Sequence, residues 1–195
     1  MALRAVVFDV GETLVDETRL WEHVADACGV PRFTLIALVG AAVARGESHL
    51  TAFQRLGVEP PHDGRPFDEF YPDALPCLRT LRERGFWLGA VGNMGIVHEE
   101  LMRPYVDLVS SSERWGVEKP SPEFFARIVS ESGFAAGELA YVGDRVDNDV
   151  EPARAAGMLA VHVRRGPWGY LHDPSAAHIR VDSLAELTER LAAYD

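Results

Sequence analysis

The chain has 195 residues, 47% of them hydrophobic, with a net charge of −11 and a pI near 5.1. That length is enough to bury a full core, with one domain plus a small insertion as the expected organisation. The acidic balance excludes nucleic acid and anionic membrane as main partners, since both favour basic proteins.

Two cysteines, Cys28 and Cys77, show neither metal-ligand spacing nor a disulfide framework. The opening apolar stretch is interrupted by Arg4 and stops at Asp9, unlike a secretion signal. The longest apolar run, Phe33 to Ala44, is shorter than the ~20 residues a membrane span needs. A reducing, cytoplasmic setting with no membrane partner is therefore expected.

Leu3 to Phe8 is apolar but for Arg4 and predicts a short strand covered on both faces, as in a parallel sheet. It ends at Asp9, where a turn through Gly11 begins. Residues 17–72 have a helical texture. One helix is predicted from Glu17 to Cys28, a second from Pro31 to Gly46 and a third from Ser48 to Gly57. The turn-rich VEPPHDGRP and a short FDEFY follow. From Pro72 strands and helices alternate. Strands are expected at Phe86–Val91, Val106–Val109, Leu139–Val142, Leu159–Val163 and His178–Val181. Helices are expected at Leu75–Arg84, through HEELMRPY, from Pro122 to Gly133, through DVEPARAAG, and at Leu184–Ala193. The stretch RRGPWGYLHDPSAAH reads as a loop. This rhythm implies an α/β fold with a mostly parallel sheet and right-handed crossovers.

Four polar punctuations stand just after apolar strands or in turns beside them: Asp9, Gly92-Asn93, Lys119, and Asp144 with Asp149. The carboxyl ends of parallel strands share one edge, where ligands bind in open α/β sheets. Of 19 basic residues 18 are arginine, and Lys119 is the single lysine. A compact ammonium at one position points to a site where a point charge fits and a planar fork does not. Carboxylates converging with one lysine suit Mg2+ and phosphoryl transfer, which depends on positioning and charge neutralisation.

These stretches resemble the haloacid dehalogenase superfamily along essentially the whole chain. Asp9-Val10-Gly11-Glu12-Thr13 is similar to its first motif, D-x-D-x-T. Gly116-Val117-Glu118-Lys119-Pro120 resembles the third, and Gly143-Asp144 through Asp149 the fourth, GDxxxxD. The resemblance implies a Rossmann-like core over 1–16 and 73–195 and a helical C1-type cap over 17–72. It implies that Asp9 is a nucleophile forming an aspartyl-phosphate, with Lys119 neutralising charge. Asp9, the Gly11 carbonyl, Asp144 and Asp149 would be the Mg2+ ligands, Asp149 either directly or in support. Gly92 and Asn93 would face the substrate, and Thr13 would support the turn.

Two positions depart from the family pattern. The acid/base aspartate of motif one is Gly11, and the motif-two serine or threonine is Gly92. General acid–base catalysis is worth roughly 10²- to 10⁴-fold, so weak or specialised activity on alkyl phosphates is expected. Glu12, His23 and His98 are the sequence candidates for a replacement proton donor. The acidic runs at His98-Glu99-Glu100 and Asp68-Glu69 read as solvated faces. Trp21, Phe33, His49, Phe53 and Arg55 are the cap's specificity cues.

The leading reading is a Mg2+-dependent phosphohydrolase acting on a small phosphorylated molecule, as a monomer or homodimer. A catalytically silent phosphate- or metabolite-binding protein and a 2-haloacid dehalogenase remain open beside it.

Overall fold

The computed structural model describes residues 2–61 and 69–194. Phe67 and Asp68 of FDEFY and the second half of VEPPHDGRP lie outside the described residues, Asp68 being part of the second acidic run.

Six strands form one parallel sheet: β1 (Ala5–Phe8), β2 (Trp87–Gly92), β3 (Leu108–Ser111), β4 (Leu139–Gly143), β5 (Leu159–Val163) and β6 (Ile179–Val181). Their order across the sheet is β3-β2-β1-β4-β5-β6, with every pair parallel. The chain steps one way from β1 to β2 and β3, then crosses back to place β4 on the other side of β1. The crevice at such a reversal is where open α/β sheets bind ligands. Phe8 pairs with Ala90 on one side and Val142 on the other, so Asp9 emerges between the ends of β2 and β4.

The alternation of side chains along a strand divides β1 between two cores. Val6 and Phe8 pack with Leu78, Leu81 and Leu187, while Ala5 and Val7 pack with Phe124, Phe125 and Ile128. Helices Ala74–Glu83 and Leu184–Arg190 cover the first face and Pro122–Ser132 the second. Ser121 and Ser183 cap two of these helices, each accepting a backbone N–H in the first turn.

The three helices predicted between 17 and 57 are present, at Thr18–Ala27, Arg32–Val43 and Leu50–Leu56. They enclose an apolar cluster of their own, including Ala25, Leu35, Val39 and Phe53. The outgoing and returning chains are stitched together: Val15 bridges Phe70, the Asp16 N–H donates to the Glu69 carbonyl, and Tyr71 N–H donates to Leu14. No single described helix is long and apolar enough to cross a membrane.

Two differences from the sequence expectations affect the site. The segment after β5 is not all loop, because Gly166–Leu171 is helical and inserts Trp168 into the apolar cluster of the three helices. Glu99 is not on a solvated face; it is only 1% exposed. Its carboxylate accepts from Ser111 Oγ at 2.7 Å and from Arg114 Nη2 at 2.7 Å. The helical pattern there was too short to say which side faces the sheet.

Candidate active site

Asp9 extends β1 by one residue, its N–H donating to the Val142 carbonyl at 2.8 Å. Asp144 follows β4 directly. Asp149 returns to the same place through the helical turn Val146–Val150. One oxygen from each of the three buried carboxylates can be chosen so that all lie within 4.8 Å of one another. Lys119 enters from the loop before helix Pro122–Ser132, and its Nζ donates to Asp9 Oδ1 at 2.6 Å and Asp149 Oδ1 at 2.5 Å. Asn93, in the turn after β2, fixes that loop: its Nδ2 donates to the Lys119 carbonyl at 2.9 Å, and its Oδ1 accepts from the Lys119 N–H at 2.8 Å.

Charge in this cluster is unbalanced. Burial works against the Lys119 ammonium, but Asp149 and Asp9 outweigh it and hold it well above the usual lysine range. Burial, then the charges of Asp149 and Asp9, push Asp144 up. Burial likewise raises Asp149, although Lys119 opposes the rise. Asp149 spends its other oxygen on the Arg145 N–H. Asp144 Oδ2, by contrast, is buried with no hydrogen-bond partner. Orphaned buried carboxylate oxygens are costly, and three carboxylates facing one ammonium are a donor set for a hard divalent cation. The residues present therefore fit Mg2+.

Three glycines explain how the groups approach so closely. A Cβ on Gly143 would lie 2.4 Å from the Asp149 carboxyl carbon, so Asp149 can fold against β4 only over a glycine. A Cβ on Gly92 would lie 2.8 Å from Asp9 Oδ1. A Cβ on Gly11 would lie 2.2 Å from Glu17 Oε1. The turn between Asp9 and Glu17 is held in an unusual conformation by Glu12, which has φ of +52°. The Glu12 carboxylate accepts from Tyr71 Oη at 2.5 Å and from the Glu17 N–H at 3.1 Å. Thr13 is buried in the same turn, and its carbonyl accepts from Arg165.

The cluster forms the floor of a cavity of about 630 Å³. Asp9, Gly11, Gly92, Asn93, Lys119 and Asp144 all line it; Asp149 lies just beneath, fully buried. On the opposite side, His49 stands edge-on between Trp21 and Trp168, with ring centroids 5.9 and 6.3 Å away. Arg145 lies over Trp168 at 5.1 Å.

Of the cap cues, Trp21 and His49 reach this cavity, whereas Phe53 is in the helical core and Phe33 is 83% exposed. Arg55 is near Glu47 on the surface. Among the suggested proton donors, Glu12 and His98 line the cavity and His23 does not.

Sequence reasoning missed Glu17, which reads as the first turn of a helix. It also missed Arg145 and Trp168, which read as motif filler and loop. Glu17 accepts from Trp21 Nε1 at 3.2 Å through Oε2. Burial, then the charges of Glu12 and Asp9, push its carboxyl up to about 8. Its only sequence signal was an acidic residue where the chain leaves the motif-one turn.

Residues 3–157 match the haloacid dehalogenase-like hydrolase family. The chain belongs to that family. It is 30% identical to a glyceraldehyde 3-phosphate phosphatase of Methanopyrus kandleri, with 96% of each chain covered. It is also 36% identical to a phosphoserine phosphatase of Thermus thermophilus, over 60% of this chain and 49% of the relative. A dehalogenase structure superposes with a TM-score of 0.75 at 21% identity, covering 97% of both chains. A HAD phosphatase from Thermococcus onnurineus superposes with a TM-score of 0.67 at 22% identity, covering 97% of this chain and 98% of that one. At such identities the structural likeness speaks for the fold alone. This haloacid dehalogenase-like enzyme is a hydrolase, phosphatase-like in its curated relatives.

Proposed function

We propose that this enzyme is a Mg2+-dependent phosphohydrolase of small phosphorylated molecules, with Asp9 as its nucleophile. The observation that carries the reading is the Lys119 ammonium bridging Asp9 and Asp149 beside the unpartnered Asp144 oxygen. Asp9, Asp144 and Asp149 would hold the cation, with Asp149 also serving Lys119. When bound, Mg2+ would supply positive charge to the phosphoryl oxygens. Lys119 holds Asp9 in one orientation and offers the same charge to the transferring group as it leaves the substrate. Asp9 Oδ attacks phosphorus in line, giving an aspartyl-phosphate that water then hydrolyses.

The other sequence expectations enter here. The core spans 1–16 and 73–195, and the helices between 17 and 72 act as a cap whose Trp21 and His49 face the non-reacting end of the substrate. Gly92 lets Asp9 Oδ1 lie where a Cβ would stand, on the side that faces the substrate, and Asn93 contributes by securing Lys119. The curated relatives' names support a small phosphorylated metabolite such as a triose phosphate. A bare dehalogenase would have no use for the unpartnered buried oxygen of Asp144, which favours the phosphoryl reading.

The test is single-turnover hydrolysis of an aryl phosphate with Mg2+ or chelator. Wild type is expected to form an acid-stable phosphoenzyme only with Mg2+, and Asp9→Asn none. Halide release from a 2-haloacid with no phosphoenzyme would establish the dehalogenase alternative; inertness toward both would leave a binding role.

A further inference from the structure

The chain lacks the motif-one acid at position 11, yet a carboxylate occupies that space from elsewhere. Glu17 Oε1 lies 2.2 Å, and its carboxyl carbon 2.8 Å, from where a side chain on residue 11 would begin. Glu17 lines the same cavity as Asp9, Lys119 and Asp144. Its place is built rather than incidental. Its N–H donates to Glu12 Oε1 at 3.1 Å, Trp21 Nε1 donates to its Oε2 at 3.2 Å, and Oε1 is left on the Gly11 side. Glu12, the nearer candidate by sequence, has both oxygens engaged, by Tyr71 and by the Glu17 N–H.

We propose that Glu17 is the catalytic acid/base, supplying from the start of the cap the carboxyl group that position 11 does not carry. The assignment rests on the phosphohydrolase reading above. As Asp9 Oδ bonds to phosphorus and the bond to the leaving oxygen breaks, the Glu17 carboxyl passes its proton to that oxygen and the alcohol departs. The resulting Glu17 carboxylate then takes a proton from water as the water oxygen attacks phosphorus. The Asp9–phosphorus bond breaks, returning the Asp9 carboxylate, a protonated Glu17 and inorganic phosphate.

The test compares wild type, Glu17→Gln and Asp9→Asn on an aryl phosphate, whose leaving group needs little protonation, and on glycerol phosphate, whose alkoxide needs a proton. Glu17→Gln is expected to lose about 10²-fold or more on glycerol phosphate, while phosphoenzyme formation from the aryl ester changes only a few-fold and its breakdown slows. Equal effects on both esters, or none, overturn the Glu17 assignment while Asp9-dependent aryl turnover upholds the phosphohydrolase. Absence of Asp9-dependent turnover in wild type overturns both. A second readout needs no turnover. Without metal, Gly11→Asp is expected to lower Tm by several degrees, and Gly11→Asp/Glu17→Ala to restore it. An unchanged Tm in Gly11→Asp would mean that Glu17 is free to leave that space, which overturns its assignment as a built acid.

Discussion

Asn93 holds Lys119 by two hydrogen bonds to its backbone, the amide nitrogen donating at 2.9 Å and the amide oxygen accepting at 2.8 Å. A side chain on the turn after β2 thereby sets where the sole lysine ammonium in the chain stands. Asn93→Ala removes both bonds without touching any reacting atom. Single-turnover rates are expected to fall about 10-fold, because small displacements of a positioned charge are costly to catalysis. Circular dichroism should show the fold retained. A variant with wild-type rates would show that the loop holds itself.

Lys119→Met leaves two buried carboxylates without their counter-charge. Removing one partner of a buried ion pair typically costs about 3–5 kcal/mol, and unfolding in urea at pH 7 should show a loss of that order. The loss should shrink toward pH 5, as Asp149, whose carboxyl is pushed up by burial, takes up a proton. A deficit that is the same at both pH values would contradict the pairing.

Gly92→Ser gives back the residue type that motif two carries in the family, but its Cβ would lie 2.8 Å from Asp9 Oδ1. Overpacking at such a site costs about 1–3 kcal/mol. The aryl phosphatase rate is expected to fall, as the nucleophile is pushed from Lys119. A gain in rate would mean that Asp9 can retreat without loss.

Glu17 should leave its mark on stability. Its ordinary value of 4.5 is raised to about 8 by burial and by neighbouring Glu12 and Asp9. The folded state thus holds a proton that the unfolded chain releases above about pH 4.5. The stability contributed by this proton is complete below that pH and is lost as pH rises toward 8. Glu17→Gln should be more stable than metal-free wild type at pH 8, by about 1–2 kcal/mol after allowing for partial exposure. The two should be equal near pH 4.5. Urea titrations across that range would reveal it, and parallel curves would refute it.

Arg114 encloses a charge that the sequence hid. Its guanidinium holds Glu99 below the usual carboxylate range, with help from Ser111, against the effect of burial. Arg114→Ala should lower stability at pH 7, since it removes the main partner of a buried carboxylate. Because the carboxylate's value is depressed, the cost should diminish as pH falls through the acid range. Thermal unfolding at pH 7 and pH 4 measures both.

Much of this was written in the sequence. The strands were legible because each is an apolar run ending in a turn residue, and the helices because their apolar residues recur at helical spacing or lie between a cap and a glycine. Asp9, Lys119, Asp144 and Asp149 are grouped by sequence alone, since parallel strands end on one edge and the family motifs fall in order. The unbroken apolar run from Ala5 to Phe8 likewise foretold a sheet covered on two faces.

Tertiary structure decided what depends on side chains arriving from distant segments. No periodicity shows that Trp168, from the segment after β5, completes the hydrophobic cluster of residues 18–56. Nor does any show that Glu99 turns inward to Arg114. Gly11 and Gly92 looked alike in sequence, as losses from a motif. In three dimensions each is space filled by another group: Glu17 Oε1 stands at one and Asp9 Oδ1 at the other. Sequence determined which groups the backbone delivers to the sheet edge, because strand direction and turn position are local properties. What occupies the space between them depends on packing among residues far apart in the chain, and only the folded molecule fixes it.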